Sequence, residues 1–154
     1  MMKAIPKHWF SWDYTILEND VNVAHLDLSV WREKGTLTVN GEDYDVYREG
    51  LLSGKFILEQ QGTPLATAIK ASAFRQSSTI TFADDEYELK PKSMFTRGFV
   101  LLQGSHQVGS VSPTNMLMRK AAVDLPAHLP LAVRVFIVWL AVILWKRQSE
   151  AGSS

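Results

Sequence analysis

Up to about residue 128, apolar and polar residues alternate with a period of two, and short polar turns interrupt the alternation at close intervals. In VNVAHLDLSVW, Ala24, Leu26, Leu28 and Val30 fall on one face of an extended strand, and His25, Asp27 and Ser29 on the other. TLTVNGEDYDVY predicts a hairpin about Asn40-Gly41, since these residues accept the positive φ angles of a two-residue turn. KFILEQ and PLATAIKAS follow, joined by Gln61-Gly62-Thr63. STITFADDEYELK has its tip at Ala83-Asp84-Asp85, MFTRGFVLLQGSHQVGSV turns around Gly104, and MLMRKAAVDL adds one more strand. With HWFSWDYTILE at the start there are about eleven strands, at the spacing of a sandwich or barrel. No helical stripe, linker, low-complexity tract or charge block interrupts them.

The pattern changes at LPLAVRVFIVWLAVILWKR, residues 129–147. Pro130 suits the first turn of a helix, and Lys146 and Arg147 suit its carboxyl end. A helix is therefore expected over 129–146, within a single domain of residues 1–147 and followed by a frayed tail, 148–154. Such a helix, apolar on every side, belongs in lipid or inside protein. The run falls short of the roughly 20 residues that a bilayer core requires. Arg134 also cuts it, leaving Val135 to Trp145 unbroken. A barrel of more than about eight strands, moreover, is too wide for its own side chains to fill. The expected fold is thus mainly β, a closed antiparallel barrel of about 11–12 strands around a buried C-terminal helix. In that arrangement Arg134 lies one turn past Pro130, about 6 Å along the axis. Its guanidinium is expected at the mouth where the helix enters, against a carboxylate, backbone carbonyls or solvent.

The short hairpins, GTPLATAIKAS, the hairpin FVLLQGSHQVGSV and the closing LPAHLPLAVRVFIVWLAVILWKR together resemble the tubby C-terminal-like superfamily, which includes phospholipid scramblases and LURP-one-related proteins. The resemblance lies in strand order and terminal helix rather than in a motif. It implies a barrel of about a dozen strands around a central helix. It also implies an association with phosphoinositides or other membrane lipids, and it carries over no site residue.

Lys and Arg number 16, as do Asp and Glu, so no net field draws the chain to nucleic acid. With no cysteine, disulfides, thiolate metal sites and cysteine nucleophiles are excluded. The segment MMKAIPKHWFSWDY lacks the apolar core of a signal peptide, and a cytoplasmic setting is expected. His25 and Asp27 share a strand face without a third ligand, and Asp84-Asp85-Glu86 lacks the spacing of a calcium loop. GLLSGK has one residue too few for a phosphate loop, and Ser53, Ser105 and Ser110 fit no nucleophile elbow. No catalytic constellation and no cofactor are expected.

One group carries a ligand-binding expectation. Lys90, Lys92 and Arg97 cluster in KPKSMFTR with Met94 and Phe95 between them, a pattern suited to an anionic head group. Arg119-Lys120 is a second such pair, whereas Trp9-Phe10 and Phe136-Trp139 are simplest as core. The leading functional expectation is a non-enzymatic binding module for a membrane lipid, another anionic ligand or a protein partner. The alternative is a tail-anchored membrane protein with helix 129–146 in lipid and scramblase-like lipid handling.

Overall fold

The computed structural model describes residues 1–8, 12–28, 33–50, 54–71, 77–93, 97–115 and 120–152. The alternating segments form β1 (Met2–Pro6), β2 (Tyr14–Glu18), β3 (Val21–Leu28), β4 (Lys34–Val39), β5 (Glu42–Arg48) and β6 (Lys55–Gln60). They continue as β7 (Thr63–Lys70), β8 (Ser78–Phe82), β9 (Asp85–Pro91), β10 (Phe99–Gln103), β11 (His106–Asn115) and β12 (Lys120–Asp124), before α1 (Leu131–Gly152). Each strand pairs antiparallel with its neighbours in chain order, and β1 closes the barrel against β12 through Met2↔Val123 and Ala4↔Ala121. The expected barrel is present. The strand that period-two counting passed over, β1, is the one that closes it.

Closure leaves no sheet edge, so a proline inside the ladder must find a place where no N–H is wanted. Pro6 and Pro91 end their strands. Pro64 and Pro113 sit beside the register shifts at Leu58/Glu59 and Pro113/Asn115. Asn40 and Gly41 have φ of 50° and 81°, and Gln61 and Gly62 repeat the pair at 50° and 82°, as the mirror-image hairpin turn demands. Gly109 answers a different need. A Cβ there would lie 2.4 Å from the Asp124 carbonyl oxygen, so only glycine lets β11 come this close to the end of β12.

Inward positions carry Ala4, Ile16, Ala24, Leu26, Leu37, Val46, Leu58, Ala68, Ile80, Leu89, Leu101 and Val123, all buried. Within this wall every residue of α1 from Val135 to Lys146 is buried, on all faces of the helix. A helix laid on the outside of a barrel would keep a wet stripe; this one has none, and it threads the lumen. Trp139 lies near its middle, fully buried, edge-on to Phe56 at 5.6 Å and stacked with Phe136 at 6.0 Å. Its indole Nε1 has no hydrogen-bond partner among the described residues. The small Ala132 and Ala141 on the helix are buried as well. Among the described residues, no helix is long and apolar enough to cross a membrane.

The helix differs from expectation at both ends. It starts at Leu131, with the Pro130 carbonyl accepting the Arg134 N–H at 3.0 Å, so Pro130 stands just outside the first turn. It also continues to Gly152, and residues 148–152, expected as frayed tail, are helical. Nothing from Gln148 to Ala151 breaks a helix, whereas glycine is a usual stop. Trp9-Phe10, Met94-Phe95, Ser53 and Arg119 lie outside the described residues.

Arg134 sits where the length argument places it. Its Nη1 donates to Glu18 Oε1 and its Nε to the Leu129 carbonyl, both at 3.1 Å, and its side chain is 13% exposed against 36% for Glu18. Arg134→Leu leaves Glu18 hydrated and is expected to cost about 1 kcal/mol, whereas Arg134→Glu sets two carboxylates together and should cost about 3 kcal/mol. Chemical denaturation of both variants checks the difference. Gly41→Val meets nothing within 4 Å, so its expected loss of about 1–2 kcal/mol comes from the backbone alone. An unchanged melting temperature would refute that register.

Candidate functional site

Because successive strands alternate in direction, the barrel has two chemically distinct ends. One carries the tight hairpin turns and receives the helix; the helix leaves through the other, among the longer loops. The turn end holds Glu18, Asp20, Glu42, Asp43, Glu59, Asp84, Asp85, Glu86 and Asp124, against Lys3 and Arg134. The exit end holds Lys7, Lys34, Arg48, Lys55, Lys70, Lys90, Lys92, Arg97, Lys120, Lys146 and Arg147. Among the described side chains, only Asp13, Asp27, Glu33 and Glu49 oppose them there.

The equal totals of acid and base therefore mislead. A seven-residue strand at ~3.3 Å per residue, tilted by about 40°, spans roughly 18 Å. That exceeds twice the Debye length of about 8 Å at physiological salt, so an approaching ligand meets each end separately. The absence of a net field, expected from the totals, therefore leaves room for a local basic patch at the exit end. Charge balance holds for the chain and not for either end.

Lys90, Lys92 and Arg97 all lie at the exit end and are exposed, Lys90 on the outward face of β9 and the others in the β9–β10 connection. The described ends of that connection are tied to each other and to the helix. The Lys92 N–H donates to the Gly98 carbonyl at 2.8 Å, and the Trp145 indole donates to the Arg97 carbonyl at 2.6 Å. Trp145 also packs against Phe99, with ring centres 6.2 Å apart. The backbone that carries Lys92 and Arg97 is thus anchored at the rim.

A second group, which the chain reading missed, lies inside the mouth. Arg48 ends β5 on the same face as the buried Val46, and Lys70 ends β7 on the same face as the buried Ala66 and Ala68. Both point inward, where apolar residues are otherwise the rule. Arg147 donates from Nε and Nη2 to the two oxygens of Glu33, each at 2.5 Å, and Arg48 Nη1 lies 3.1 Å from Glu33 Oε1. The Arg147 guanidinium also lies 5.6 Å from the centre of the Phe56 ring. Lys146, beside it, is buried.

These charges act on one another. Burial pushes the Glu33 carboxyl up, but the hydrogen bond and charge of Arg147, with Arg48 and Lys146, outweigh it and hold the group below its ordinary range. Burial and the charge of Arg147 pull the Lys70 ammonium down, against a smaller opposing effect of Glu33. Glu33 is the hub. A signal for this group was present in the sequence: a cation at the last inward position of two strands, and a pair of cations that closes the apolar run 129–147.

The other candidates stay apart. His25 Nε2 lies 3.4 Å from Asn22, and Asp27 accepts from Lys7 at 3.0 Å, so the two do not orient each other. Asp84, Asp85 and Glu86 are exposed at the β8–β9 tip. His128 meets the Tyr87 hydroxyl at 3.1 Å at the turn end. GLLSGK leads into β6 rather than a helix. Among the described residues, no group of three or more His, Asp or Glu is placed to hold a metal. No protein-family profile, no curated protein and no solved structure matches the chain.

Glu33 sets an acid limb on stability. A carboxyl lowered on folding contributes stability that is fully present above its unfolded value, about 4.3, and is lost as pH falls through the lower folded value. Glu33→Gln is expected to lower the melting temperature at neutral pH and to flatten its fall on acidification. Melts recorded across that range check the sign; a parallel acid limb in both proteins would refute it.

Proposed function

We propose that the chain is a non-enzymatic binding module whose exit end docks on an anionic membrane surface. The observation that supports this reading is the segregation of cations to one end of a barrel whose other end is acidic. The rim combines outward lysines with exposed apolar surface. Ile69, 51% exposed, sits directly opposite Lys55 on the outer wall near that end. Basic groups beside an apolar side chain suit a lipid interface, where each cation near the surface contributes about 1 kcal/mol. The acidic turn end would be repelled, so the barrel stands end-on with the helix exit toward the head groups. The expected cytoplasmic setting agrees with this, since anionic lipids face the cytoplasm.

The finer family assignment belongs to the same proposal. A sequential meander of strands around a C-terminal helix is what the resemblance to the tubby C-terminal-like superfamily implies, and lipid association is the property it suggests.

Flotation with phosphatidylcholine vesicles, with and without phosphatidylserine, tests the reading. Wild type is expected to float only with the anionic vesicles and to be released by salt. Replacing Lys90, Lys92 and Arg97 together by glutamine should weaken binding by about 3 kcal/mol, roughly two orders of magnitude. Failure to float with anionic lipid at low salt would sink the proposal, as would undiminished binding by the triple variant.

A further inference from the structure

The cations inside the mouth are not accounted for by the rim. Arg48, Lys70 and Arg147 surround Glu33, the one carboxylate among the described residues of this mouth, leaving a surplus of positive charge in a partly enclosed place. Such a surplus is costly unless an anion completes it. Two donors at this mouth are without an acceptor among the described residues. Arg48 Nε is buried and has no acceptor among the described residues, although its Nη1 is engaged by Glu33. The ammonium of Lys70 likewise has no hydrogen bond or ion pair among them, despite its inward, half-buried position.

We infer that this mouth is a built site for a phosphate-type oxyanion, with Lys70 and Arg48 as its principal donors and Glu33 as the internal carboxylate that holds the cations in place when it is empty. A dianionic phosphate answers the surplus better than a second carboxylate, and the guanidinium fork matches its oxygens. Phe56 walls one side, and Arg147 lies over its ring. The inference rests on reading the exit end as an anion-binding surface, but its residues face the lumen while Lys90 faces out. The same chemistry is offered by free phosphate and by a phosphomonoester lipid head group.

The test uses the full chain, with inorganic phosphate exchanged for chloride at constant ionic strength and amide and arginine side-chain resonances followed by NMR. Saturable shifts confined to Arg48, Lys70 and Arg147 are expected. Lys70→Gln should weaken binding about tenfold, the usual loss for one charge-assisted hydrogen bond, and Lys3→Gln at the turn end should leave it unchanged. Glu33→Gln should bind phosphate more tightly than wild type and recover melting temperature on its addition, a rescue that a purely structural ion pair would not show. Absent or non-saturable shifts, or undiminished affinity in Lys70→Gln, would overturn the site. Flotation on phosphatidic-acid vesicles identifies the source. Competition by phosphate supports the site with a lipid occupant, and a phosphate response without flotation supports it with a free one while removing the membrane reading. Flotation without a phosphate response leaves the rim and overturns the site.

Discussion

Twelve strands closed into a barrel enclose more room than their own side chains fill, and that constraint governs the rest of the molecule. The wall cannot be dry and empty, since an unfilled lumen forfeits packing on every inward residue. The helix has the converse need, being apolar on all faces and unable to stand in water. Each element removes the other's exposed surface. Arg134 and Lys146 lie about 18 Å apart along the helix, close to the height of the wall, so the uncharged stretch between them, Val135 to Trp145, matches the lumen and leaves the charges toward its mouths.

The same geometry sorts the polar groups. Alternating strand direction sends successive connections to opposite ends, and the end with the short turns holds most of the acids while the end with the longer loops holds most of the bases. The helix carries Lys146 and Arg147 out through the basic end, where one carboxylate, Glu33, receives Arg147 and Arg48. That carboxylate sits amid like charges that would otherwise repel. It steadies the mouth without neutralising it.

Much of this was legible along the chain. Period-two alternation and turn residues such as Asn40-Gly41 mark the hairpins because the pleat and the turn leave little choice of residue. The length of the apolar run, and the arginine inside it, decide between lumen and lipid. Met2–Pro6 escaped because five residues ending in proline carry too short a pattern to stand apart from a loop. The Glu33 group escaped for a different reason. Arg48, Lys70 and Arg147 are far apart in sequence, and only closure of the barrel brings their inward ends around one point. Lys90, Lys92 and Arg97 were visible because they are neighbours along the chain, which is the kind of site that sequence shows best.

The order of elements has a consequence for synthesis. The helix follows all twelve strands, so a chain growing from its N-terminus exposes its β-hairpins to the cell before residues 131–147 exist. Local pairing of neighbours can begin early, because each hairpin closes a short loop. The inner face of the growing sheet, with Ile16, Leu26, Leu37 and Leu58, nevertheless has nothing to pack against until α1 emerges. Closure through β1 and β12 waits nearly as long. Until residues 131–147 follow, a nascent chain of this kind is a curved, sticky sheet. Its vulnerability to aggregation is greatest in the moments before the helix leaves the ribosome.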